Sequence, residues 1–255
     1  MALFTDGGIT QISELEAYDS ALLRVANAEG VDLTAKQNLA GSEIGIAIEE
    51  FLVRRTGMLP SSDPASGQAL GNVVVTPPLK QWHTLLTLSL VYSDVEGNHV
   101  KGRYAEKAQE YRRRAKWAAE TLFRIGVGLT FRPIPRATQP VVRTVSGAEP
   151  VETYSVEVAW RNSAGESGAP SEALVYTTET AGVIGVTAAA ASAAVTGFDV
   201  YVGLSDGELT RQNSEMVARG AEWVMPAGGL VAGAPLPAGQ SPDRYVRNDR
   251  VLRRG

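Results

Sequence analysis

Two histidines, His83 and His99, are the only imidazoles in the chain, and there is no cysteine. Without a thiol there is no disulfide, no thiolate nucleophile and no cysteine-ligated zinc or iron–sulfur site. A histidine-rich metal site is excluded as well, and a Ser-His-Asp triad would have to use one of these two imidazoles. His83 stands beside Trp82 in an apolar run, the setting of a buried, hydrogen-bonded core histidine. His99 follows Gly97 and Asn98 in turn chemistry. No His-x-Glu, His-Glu-x-x-His, Gly-x-Ser-x-Gly or P-loop pattern occurs. Glu14, Glu16, Glu49 and Glu50 read as helix-surface carboxylates with no partner visible in sequence. The expectation is a protein that is not an enzyme, with no catalytic residue, no cofactor and no metal.

The charged residues are more telling for where they lie than for what they could catalyse. The formal net charge is only −4, but it hides blocks of alternating sign. Residues 1–100 carry 5 basic and 12 acidic groups, residues 101–136 carry 10 and 3, residues 137–241 carry 4 and 11, and residues 242–255 carry 5 and 2. Opposite blocks attract within a chain or between copies of it. Arg103, Lys107, Arg112, Arg113, Arg114 and Lys116 concentrate the second block on one helical stretch. A DNA-recognising domain is usually basic as a whole, whereas residues 1–136 sum to zero. These six side chains are therefore expected to form a subunit–subunit surface that meets acidic residues of the first hundred positions.

The elements that place these groups follow from hydrophobic period. Of the 255 residues, 44% are hydrophobic and 20% charged, which is ordinary for a globular chain, and the length suggests two domains. No stretch has the roughly 18 apolar residues that a membrane span needs, and no signal peptide is seen. Four helices are predicted in the first half. The first opens on a capping box, Ser13-x-x-Glu16, and stops at Gly30; the second opens on Thr34-x-x-Gln37 and ends by Gly57. Gly41 and Gly45 within the second would be tolerated where a neighbouring helix approaches closely. The third follows Thr76-Pro77-Pro78 and is apolar nearly all round; the fourth, about 101–125, carries a stripe from Tyr104 to Ile125 and ends at Gly126 and Gly128. Val73, Val74 and Val75 could add a short strand.

Residues 131–150, with Pro133 and Pro135, read as the linker. The period then changes to two. Tyr154, Val156, Val158 and Trp160 alternate with polar or small residues, and Phe198 to Val202 alternate again. The fold class is therefore α + β and multi-domain: a helical domain at 1–130, a linker at 131–150, a small all-β sandwich at 151–226 and an extended tail at 227–255. Trp160 and Trp223 belong to the sandwich core in this reading. The tail ends in Arg244, Tyr245, Arg247, Arg250, Val251, Leu252, Arg253 and Arg254, and arginine with aromatic and aliphatic neighbours is the composition of a partner-docking anchor. Deleting 242–255 is expected to leave the fold intact and abolish assembly.

The helical stretch HVKGRYAEKAQEYRRRAKWAAETLFRIGVGL, its proline break and the tail resemble a tailed-bacteriophage head-to-tail connector, the adaptor beneath the portal. The stretches VAWRNSAGESGAPSEALVYTT and GFDVYVGLSDGELTRQN resemble the fibronectin-III/Ig-like modules of phage virion proteins. The resemblance implies a structural virion protein at the neck, made in the host cytoplasm, assembling as a dodecameric ring. Its implied partners are the portal protein, tail or stopper proteins and other copies of itself. Genomic DNA passes through the lumen without sequence-specific binding, and no membrane is involved. The alternatives are a tail-completion or stopper protein of the same neck, and a surface adhesion or carbohydrate-binding module on a helical base, which would use Trp160 or Trp223.

Overall fold

The computed structural model describes residues 1–56, 69–97, 102, 104–189, 194–205, 207–248 and 251–253. They form two compact units, one of residues 4–131 with 242–255 and one of residues 1–3 with 132–241. The first is helical with a small sheet, the second antiparallel β. Among the described residues no helix is long and apolar enough to cross a membrane.

The helical unit has five α-helices among its described residues: α1 (Ile12–Tyr18), α2 (Leu22–Glu29), α3 (Leu33–Thr56), α4 (Pro77–Gly97) and α5 (Ala105–Ile125). The first predicted helix is thus two. Asp19 adopts an extended backbone (φ −151°) and ends α1, and its carboxylate accepts the Ala21 N–H at 3.2 Å, an Asx turn into α2. Neither predicted capping box forms as read. Gln11 caps α1, with Glu14 accepting its N–H at 2.9 Å, and Asp32 accepts the Ala35 N–H at the start of α3. Gln37 instead reaches the Thr10 carbonyl at 2.6 Å. These residues all sit within a few positions of one another, and side-chain competition for the same free N–H groups decides which one caps.

The core of this unit runs through Leu15, Leu22, Ile44, Ile48, Leu79, Leu85, Leu88, Tyr92, Tyr111 and Leu122. α4 is buried on most sides, as its nearly uninterrupted apolar sequence requires. The strand β1 (Val127–Leu129) follows α5 directly. It pairs antiparallel with β10 (Arg244–Val246), which pairs with β11 (Val251–Arg253), and Val73 bridges Leu129 from β1's other side. Gly128 is required at the centre of β1, because an added Cβ would lie 2.7 Å from Pro242 Cγ and 3.1 Å from Thr76 Cγ2.

In the second unit two antiparallel sheets share one core. One has the order β2 (Val141–Ser146), β5 (Gly182–Thr187), β9 (Glu222–Val224). The other has the order β4 (Leu174–Thr177), β3 (Thr153–Arg161), β6 (Gly197–Gly203), β7 (Thr210–Arg211), with β8 (Val217–Ala218) also on β6. Tyr154, Val156, Val158, Trp160, Phe198 and Val200 face Ile184, Val186 and Met225 across that core, with Trp160 edge-on to Phe198 at 5.8 Å. β2 lies inside the stretch read as linker; it is an edge strand with little burial, so its sequence shows no alternation. The other face of the larger sheet is covered too. Ala159, Tyr201 and Leu209 pack with Leu236, and Arg211 donates to the Ala234 carbonyl at 2.8 Å. Beneath this cover Asp199 is buried and bonds Asn213 Nδ2 at 2.8 Å and Arg161 Nη1 at 3.3 Å. Residues 226–241 therefore belong to the sheet unit, where the sequence suggests the start of an extended tail.

Candidate functional site

Five of the six cations proposed as a subunit surface are among the described residues, and they separate into two groups. Lys107 turns inward. Its ammonium lies 2.5 Å from Asp19 Oδ2 and 4.6 Å from the centre of the Tyr92 ring. Arg114 is half-buried over the rings of Tyr18 and Tyr111, 5.9 Å from each. Both hold the helical unit together and are not a free cationic face. Arg112, Arg113 and Lys116 are exposed. Arg112 donates to Ser93 at 3.2 Å and Arg113 pairs with Glu110 at 2.7 Å within the helix. Arg103 lies outside the described residues.

Asp19 anchors the inward group. Its carboxylate, 8% exposed, accepts the Tyr92 hydroxyl and, at 3.4 Å, the Tyr111 hydroxyl. Burial acts to raise the Asp19 carboxyl, but the hydrogen bonds from Lys107, Tyr92 and the Ala21 N–H outweigh it and hold the group below the usual aspartate value. Burial, together with the Asp19 charge, pushes the Tyr111 hydroxyl up to about 12 and raises Tyr92 further. One carboxylate thus ties the α1–α2 turn to α4 and α5. Lys36–Asp94 at 2.8 Å and Lys80–Glu14 tie α3 and α1 to α4 in the same way.

What remains exposed on α5 includes a residue that the sequence reading passed over. Trp117 is 53% exposed. Arg113 and Arg124 lie one turn before it and two turns after it on the same face, together with Glu110 and Glu120. Its helical position, four and seven residues from arginines and off the Tyr104–Ile125 stripe, was the available signal.

α3 carries a second open face. Ile46 is 68% and Leu39 45% exposed, and Ser42, Glu43, Glu49 and Glu50 surround Ile46 at helical spacing. Beside it is a groove of about 530 Å³ with Phe4, Ile9, Gly45, Leu70 and His83 among its lining residues. α4 lies against Gly41, where an added Cβ would be 3.9 Å from His83 Nε2, and at Gly45 one would be 3.4 Å from Phe4 and 3.5 Å from Leu70. The two glycines open the groove.

His83 is the buried, bonded histidine that the sequence suggests, at 3% exposure. Nε2 lies 3.1 Å from the Gln37 carbonyl, which can only accept, so Nε2 carries the proton and Nδ1 accepts from the Thr10 hydroxyl at 2.9 Å. Burial lowers its pKa, partly offset by the Gln37 bond. A folded value below the unfolded one, about 6.5, makes stability fall as pH drops from about 6.5 toward the folded value, by at most about 1.4 kcal/mol per pH unit. Thermal melts of His83→Gln should lose this part of the pH slope. An unchanged slope would assign it to other groups.

The tail residues are not a free end. Val246 is buried in the helical core, Tyr245 is opposite Gly128, and half-buried Arg244 lies 5.0 Å from the Phe131 ring centre. Asp243 accepts the Thr130 hydroxyl at 3.1 Å and the Phe131 N–H at 2.9 Å. Arg247 is half-buried. Val251, Leu252 and Arg253 form β11, and Arg250 and Arg254 lie outside the described residues. His99 lies outside them too. Among the described residues no group of three or more metal-ligating side chains converges.

Compared with known proteins, the sequence matches no family model and no curated protein.

Proposed function

We propose that the chain is a structural virion protein, a head-to-tail adaptor of a tailed bacteriophage that forms a ring beneath the portal and joins capsid to tail. The helical unit builds the ring, the sheet unit is a fibronectin-III/Ig-like module that braces it or meets neighbouring neck proteins, and DNA passes through the lumen unread. The chain has no catalytic role in this reading, and it works at the neck of the particle. A stopper or tail-completion role in the same neck uses the same kind of surface.

The observation that carries the reading is the exposed face of α5. A half-exposed tryptophan beside Arg113 and Arg124, with Glu110 and Glu120 on the same face, has the composition of a protein-docking hot spot. A merely solvated helix face does not need an indole. Of the two residues a carbohydrate-binding role would use, Trp160 is 3% exposed in the sheet core and Trp223 is half-buried against that core.

Sedimentation with purified portal protein of the same particle tests the proposal. Co-migration at about 0.05 M salt that weakens at about 0.5 M, as exposed charges are screened, is the expected result. Failure to co-migrate at low salt would overturn it.

A further inference from the structure

We infer that the open edge of β4 pairs with β4 of a second copy, antiparallel about a two-fold axis at Tyr176, so that the larger sheets of two copies become one. The register of β4 decides which main-chain groups are open. Thr178 donates its N–H to the Glu152 carbonyl, and the pairing of β3 with β4 continues that alternation. Leu174 and Tyr176 therefore bond to β3, and the N–H and C=O groups of Val175 and Thr177 point off the sheet. β4 ends its sheet, and none of these four groups has a hydrogen bond among the described residues. A side chain closes each end of the row. Gln139 Nε2 donates to the Ala173 carbonyl at 3.1 Å, and the Thr144 hydroxyl oxygen accepts the Glu179 N–H at 3.1 Å. What stays open between them is a window of two donors and two acceptors.

The occupant is a second copy because the window is its own complement. With the axis at Tyr176, the N–H and C=O of Val175 meet the C=O and N–H of Thr177 in the second copy, and Thr177 meets Val175 in the same way. All four open groups are then bonded, and the side-chain caps end the pairing at the same point in both copies. The side chains agree with this register. Val175, 62% exposed, comes opposite Thr177 on the outer face. Half-buried Tyr176 comes opposite Tyr176 at the close, non-hydrogen-bonded position, where cross-strand aromatic pairs stabilise. None of the paired residues is charged, so the copies do not repel. Other edge strands are guarded: Arg143, Glu222 and Arg211 stand on β2, β9 and β7, whereas β4 carries neither charge nor proline. A two-fold contact does not repeat around a ring, so this pairing goes beyond the adaptor reading and does not depend on it.

Sedimentation of the full-length chain should show a monomer–dimer equilibrium at concentrations up to about 1 mM, since so small an interface holds weakly. The equilibrium should be nearly the same at about 0.05 M and 0.5 M salt, because no charges are paired. Val175→Lys, at an exposed position, sets like charges beside each other across the axis and should weaken the dimer at least about tenfold. Thr177→Pro removes one outward N–H from each copy, which an edge strand tolerates, and should weaken it as well. Far-ultraviolet circular dichroism of both variants should match wild type. A chain without cysteine also takes a single spin label cleanly. Glu172 is exposed and lies four residues before Tyr176. Labels on Glu172→Cys in the two copies should therefore stand about 25–30 Å apart, at about 3.4 Å per residue of strand. A chain that stays monomeric at about 1 mM overturns the pairing. A dimer as tight in Val175→Lys as in wild type, or one with the labels at another distance, overturns it as well, whatever the portal experiment gives.

Discussion

Asp19→Ala should destabilise the helical unit by about 3 kcal/mol, a large share of the 5–15 kcal/mol of a typical domain. The reason is what the substitution leaves behind. Tyr92 is fully buried, and its hydroxyl loses its acceptor; a buried unpaired hydroxyl costs about 1–3 kcal/mol. Lys107 loses its counter-charge but is 38% exposed at its side chain, so it can turn to water, which keeps the total near the low end for a broken buried pair. The Asx turn that redirects the chain between α1 and α2 is lost as well. In the full chain, the midpoint of helical ellipticity loss should fall by roughly 10 °C. Asp19→Asn, which keeps an acceptor, should fall less. The carboxyl's lowered pKa adds a sign: its contribution is complete above the unfolded value, about 3.9, and is lost as pH falls through the folded value. Equal melting of wild type and Asp19→Ala would show that the cluster contributes nothing.

Deleting 242–255 should have an effect of similar size, and here the structure reverses the expectation drawn from sequence. A free tail could be cut without cost. This one supplies Val246 to the helical core, worth about 1.5–3 kcal/mol of burial. It also supplies the Asp243 carboxylate, whose two bonds to Thr130 and Phe131 are worth about 1.5–3 kcal/mol each where a charged group is involved. Without β10, β1 keeps only the Val73–Val74 side of its pairing. The truncated chain should therefore unfold at distinctly lower urea concentration when followed by helical signal. An unshifted transition would mean that β10 rests on the unit without stabilising it. Any loss of assembly by this truncation must therefore be judged against the loss of fold. Point variants on α5 are the cleaner probes of assembly.

The legible parts of the fold were those with a local cause. The 3.6-residue stripe placed α5, the apolar run placed α4, and the alternation of Tyr154 to Trp160 placed β3. The split between α1 and α2 was hidden, because Asp19 reads as one more polar helix residue until its carboxylate is seen to turn inward toward Tyr92 and Lys107. The pairing of β1 with β10 joins three-residue strands far apart in the chain, with Gly128 opposite Tyr245, and nothing local records it. Lys107 and Arg114 were read as surface by charge alone; rings beneath them at Tyr92, Tyr18 and Tyr111 take them inward. Trp117 was legible in principle. Its spacing from Arg113 and Arg124 sets it on the charged side of α5, but a tryptophan is read as core by default.

Image reconstruction of the protein bound to its portal tests the proposed assembly most directly. A ring coaxial with the portal is expected, in which the Trp117 face of each subunit lies against another chain. A particle in which that face looks into bulk solvent, with no other chain against it, would contradict it.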